Sequence, residues 1–61
     1  MNPIRYILSL NGVVGRLKKE IAVLRKMQDE CSLLGNISLA AQSKLLADTI
    51  EVLVNQYEKR N

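Results

Sequence analysis

The stretch "GNIS", Gly35 to Ser38, interrupts a chain that otherwise reads as helix, and its reading decides the fold. Glycine followed by asparagine is helix-terminating chemistry, because glycine takes the left-handed backbone that closes a last turn without steric cost. Ser38 is a good N-cap for a second helix. Upstream, apolar residues fall at Ile7, Leu10, Val14, Leu17, Ile21 and Leu24, and the same spacing continues through Gln28 and Cys31. Steps of three and four in alternation mark a heptad seam. Downstream, Leu39, Ser43, Leu46, Ile50, Leu53 and Tyr57 repeat those steps. Asn2 and Pro3 supply a helix start, and neither run has an internal proline. The sequence predicts one all-α domain over 1–61, with a helix over 3–34, a turn at 35–37 and a helix over 38–60.

A turn this short makes the helices antiparallel neighbours, a coiled-coil-like hairpin. Folded about Ile37, facing residues carry numbers adding to about 74. Cys31 then meets Ser43, Gln28 meets Leu46, Leu24 meets Ile50, Ile21 meets Leu53, and Leu17 meets Tyr57. The same register sets Lys44 opposite Glu30, Asp48 opposite Lys26 and Glu58 opposite Arg16, each pair opposite in sign. A competing arrangement is a parallel two-stranded coiled coil. Ile7, Val14 and Ile21 alternate with Leu10, Leu17 and Leu24, the pattern that favours it, and Glu20 would face Arg25 of a partner chain. The antiparallel hairpin is preferred because it also accounts for the second helix.

Composition excludes several classes of function. In a chain of 61 residues a single core supplies few kcal/mol, and such domains usually need a staple. Cys31 is the one cysteine, so no internal disulfide forms, and without histidine there is no zinc site and no Ser-His or Cys-His nucleophile pair. No metal or cofactor is expected, and Cys31 reads as a small apolar residue near the turn. Association is the staple that remains. The net charge of +3 gathers at Arg16, Lys18, Lys19, Arg25 and Lys26, with no interleaved aromatic to stack a base. That argues for a solvated, ion-paired helix face and against nucleic acid. The most apolar run, 4–14, is too short to span a membrane and lacks a signal-peptide cleavage pattern, which points to a cytoplasmic chain with no membrane role.

Under the hairpin register, residues 1–12 overhang the second helix. Gly12 and Gly15 mark the junction, where they permit a kink or the close approach of another helix. The overhang carries Ile4, Ile7, Leu8 and Leu10, too apolar to stay in water, and these are the candidate partner-binding residues. Val23, Leu45, Val52 and Val54 lie off the seam, and packing two hairpins into a four-helix bundle would cover them. The expected partner is another protein, a second copy, or both; no small-molecule substrate is evident.

Two families share features with this chain. "KKEIAVLRKM", "LGNIS" and "ADTIEVLVNQYEKR", spanning about 17–60, resemble the small hairpin aspartyl-phosphate phosphatases of sporulation control. In that family the second helix carries Ser-Gln-x-Leu-Asp, then Leu-Ile and a Tyr. Here those positions are Ala47, Asp48, Thr49, Ile50 and Glu51, followed by Leu53, Val54 and Tyr57. Serine, glutamine and aspartate are replaced, so the resemblance implies catalysis on a response regulator only through Glu51. "SKLLADTIEVL", Ser43 to Leu53, is similar to a stretch in the hairpin co-chaperones of type III secretion needle subunits, which implies a binding role without catalysis. The expected function is a non-enzymatic interaction module, a regulator, adaptor or co-chaperone; the alternative is a phosphatase.

Overall fold

A computed structural model describes residues 9–60. Two helices, α1 (Leu10–Leu33) and α2 (Ile37–Arg60), pack along their lengths as an all-α antiparallel hairpin. The described part of the expected helix begins at Leu10, and its stretch over 3–8 lies outside the described residues. Ser9 is extended (φ −76°, ψ 161°), and its Oγ accepts from the Gly12 amide at 3.0 Å. A serine in that conformation caps the helix that follows it, satisfying one of the amides that a helix start leaves free. The Asn2-Pro3 start lies outside the described residues. The two glycines therefore sit in the opening turns of α1, which runs through both without interruption from its cap at Ser9.

The turn is Leu34-Gly35-Asn36, one residue earlier than predicted. Gly35 has φ 80°. Its amide donates to the Ser32 carbonyl (3.1 Å), and the Asn36 amide donates to the Cys31 carbonyl (2.8 Å). These are the two bonds of a Schellman motif, which occupy carbonyls that the helix end would leave unpaired. Asn36 then opens α2. Its Oδ1 accepts from the Leu39 amide at 3.1 Å, and its carbonyl accepts from the Ala40 amide at 3.1 Å. Asparagine is as good an N-cap as serine and stands two positions nearer the glycine, so it displaces Ser38, which lies inside α2.

On α1 the inward residues are the predicted ones: Val14, Leu17, Ile21, Leu24, Gln28 and Cys31 are all partly covered. On α2 the seam is rotated by one position. Ala40, Ser43, Ala47 and Val54 are buried and Ile50 is partly covered, whereas Leu39, Leu46, Leu53 and Tyr57 remain exposed. Val54, expected off the seam, is in it. Small residues on α2 let bulky leucine and isoleucine side chains of α1 lie close to its backbone, the large-against-small packing that fills a two-helix interface. Turning Leu46 and Leu53 inward would force the axes apart. The buried Ser43 hydroxyl is satisfied by donating to the Leu39 carbonyl at 2.9 Å. The hairpin register is close to that predicted, since cross-helix ion-paired residues have numbers adding to between 73 and 76. With α2 of the same chain seated on α1, the parallel two-stranded alternative does not describe this hairpin.

Candidate functional site

The rotation of α2 gives the hairpin two unlike flanks. Successive residues on a helix are about 100° apart. With Ala47 and Val54 facing α1, Lys44, Asp48, Glu51 and Glu58 fall to one side of the seam and Leu39, Leu46, Leu53 and Tyr57 to the other.

The charged flank is tied together across the helices. Arg25 Nη2 donates to Asp48 Oδ1 at 3.0 Å and to Glu51 Oε2, and Lys44 Nζ donates to Asp48 Oδ2 at 3.0 Å. Further along, Lys18 Nζ bonds Glu58 Oε1 at 2.9 Å. These are not the predicted partners: Asp48 takes Arg25 where Lys26 was expected, Glu58 takes Lys18 where Arg16 was expected, and Lys44 turns along its own helix to Asp48. The one-position rotation of α2 brings its carboxylates to the side on which Arg25 and Lys18 lie. Hydrogen bonds from Lys44 and then Arg25 hold the Asp48 carboxyl below the usual carboxylate range, and those to Glu51 and Asp48 hold the Arg25 guanidinium protonated more firmly. All four side chains are well exposed, so the network sets register more than it adds stability.

Glu51, the candidate catalytic carboxylate, thus lies at the surface with Arg25 on it. It borders an open groove of about 280 Å³ that also takes in Lys18, Asn55 and Glu58. A second groove, of about 400 Å³, runs along α1 between Val13, Leu17 and Glu20. Among the described residues no group of His, Cys, Asp and Glu is placed to hold a metal ion.

Of the candidate partner-binding residues, Ile4, Ile7 and Leu8 lie outside the described residues. Leu10 opens α1 and is half exposed. The apolar flank of α2 was missed as a surface because its residues were assigned to the seam. The signal that finds it is the second stripe, Ala40, Ala47 and Val54, one residue along and equally periodic. Leu45 (67 % exposed) and Val52 (55 % exposed) lie on the outer face, as expected of residues off the seam. No described helix is long and apolar enough to cross a membrane. No family model, curated protein or solved structure matches the chain.

Proposed function

We propose that the chain is a small protein-interaction module, a regulator, adaptor or co-chaperone without catalysis of its own. The observation that carries this reading is the amount of large apolar side chain left outside the hairpin, including Leu39, Leu46, Leu53 and Tyr57 on one flank and Leu10 at the start of α1. Contiguous apolar surface on so small a chain marks a contact surface. Ile4, Ile7, Leu8 and Leu10 are proposed to engage a second copy or another protein. With the chain immobilised, the proteins it retains, itself included, can be identified by mass spectrometry. Ile7→Asp with Leu10→Asp is expected to lower retention of a stoichiometric partner at least tenfold while the circular dichroism of the hairpin persists. A wild-type chain that holds nothing would sink this reading.

A second reading is favoured by one observation, the position of Glu51. Its carboxylate is exposed in a groove with Lys18 and Arg25, and a phosphorylated side chain of another protein would meet these two cations by displacing their present partners Glu58, Asp48 and Glu51. It follows the resemblance to the hairpin phosphatases and assigns the chain an aspartyl-phosphate substrate on a response regulator. The expected result is faster loss of phosphate from a phosphorylated receiver domain, abolished by Glu51→Ala. Unaltered lifetimes across a panel of receivers would remove it.

A further inference from the structure

We infer that the apolar flank of α2 seats a second copy of this chain, two hairpins closing face to face into a four-helix bundle. The inference rests on reading the chain as an interaction module, and it names both the occupant and the surface. Three observations carry it.

The first is area. A folded globule of this chain's 6.9 kDa would expose about 4,000 Å². The chain exposes 4991 Å². The excess, about 1,000 Å², is close to the roughly 800 Å² that each partner contributes to a standard interface.

The second is the poverty of the chain's own core. Among the described residues the buried apolar side chains are Ala40, Ala47 and Val54, and no large side chain is fully buried. A chain so placed needs its missing core whenever it is folded, and a second copy is always present in equal amount.

The third is the pattern of the flank. Leu39, Leu46 and Leu53 recur every seven residues and Tyr57 extends the row; on α1 the row Val13, Glu20 and Met27 adds two apolar side chains, 36 % and 39 % exposed, with Glu20 between them. From Leu39 to Tyr57 the row contains no charge, while the opposite flank of the same helix carries Lys44, Asp48, Glu51 and Glu58. A heptad row of leucines is self-complementary: related by a two-fold axis, it meets its own copy with no like charges opposed. This assignment leaves the segment at Ile7 and Leu10 for a different protein.

Sedimentation equilibrium of the full chain over a dilution series tests it. The wild type is expected to be a dimer at tens of micromolar. Leu46→Glu with Leu53→Glu should raise the dissociation constant at least about 100-fold and halve the mass. Leu45→Glu with Val52→Glu, the same charges on the outer face, should leave the dimer intact, and Ile7→Asp with Leu10→Asp tests the other candidate surface. Because the flank variant could also unfold, a second measurement uses the wild type alone. In a sample mixing labelled and unlabelled chains, intermolecular NOEs should fall on the Leu46 and Leu53 methyls and the Tyr57 ring. A folded wild-type monomer overturns the inference, as do intermolecular NOEs confined to Leu45 and Val52. A dimer lost only with Ile7 and Leu10 places the second copy on residues 1–10 and overturns it too. None of these three outcomes removes the interaction reading, which fails only if the wild type retains no protein at all.

Discussion

Replacing Ala47 with leucine is expected to unfold a large part of the population at room temperature. Ala47 is fully buried, at 0 % exposure, in the middle of the seam and roughly level with Gln28 of α1. Its methyl group is the largest side chain that the closely approaching helices leave room for, with Ala40 and Ser43 on the turns before it and Val54 beyond. Three further carbons must push α1 away or leave their rotamer well, which costs about 1–3 kcal/mol in a packed interface. A single small core supplies little more than that in total. Displacing α1 would also pull Arg25 from Asp48 and Glu51, so the loss is not confined to one contact. The control is Leu45→Ala, which removes more side chain from an exposed position and is expected to shift stability by no more than about 0.5 kcal/mol. Urea denaturation followed by circular dichroism, at one fixed protein concentration, separates the two. Equal midpoints for Ala47→Leu and the wild type would show that the small stripe does not set the helix spacing.

The second large effect is expected at the turn. Gly35→Val should destabilise the hairpin by more than the roughly 1–2 kcal/mol that left-handed backbone costs an ordinary L residue. Gly35 sits at φ 80°, and a Cβ built there meets no atom within 4 Å. The penalty is therefore one of backbone conformation and not of crowding, and side chains should rank by their tolerance of positive φ. Asparagine should lose least, alanine more, and valine most, since a β-branched residue is the worst suited to that region. If the turn instead reverts to negative φ, the bonds from Gly35 to Ser32 and from Asn36 to Cys31 are lost, and the cap of α2 moves with them. Denaturation midpoints for the three variants check the order. A valine variant as stable as the asparagine variant would show that the left-handed turn contributes nothing to the fold.

The dependence on Gly35 and the dependence on Ala47 were unequally legible. Gly35-Asn36 between two runs spaced three and four announces a helix end and a reversal, because the chemistry lies in the two residues themselves. The error at that point was small: Asn36 closes one helix and caps the next, a double role that left Ser38 unused. Ser9 was passed over in the same local way. The apolar spacing runs past it, although a serine three residues before a glycine amide is a ready cap. Glu51 was singled out only through a resemblance, and its bond to Arg25 was not legible, since that contact depends on the rotation of α2.

The two helices of the described residues, the place where they reverse, their antiparallel course and the inward face of α1 are all written in the residues themselves. Each follows from local chemistry or from a single apolar stripe with no rival on the same helix. Only the tertiary structure decided which face α2 presents. Leu39, Leu46 and Leu53 compete there with Ala40, Ala47 and Val54, two stripes of the same period one residue apart. Hydrophobicity ranks the leucines first, and a helix considered alone would bury them. Against a partner already lined with Leu17, Ile21 and Leu24, the closer fit comes from the small residues, which also bring Asp48 and Glu51 to Arg25. That choice depends on the volume and charge of the facing helix, and it places the leucines outside.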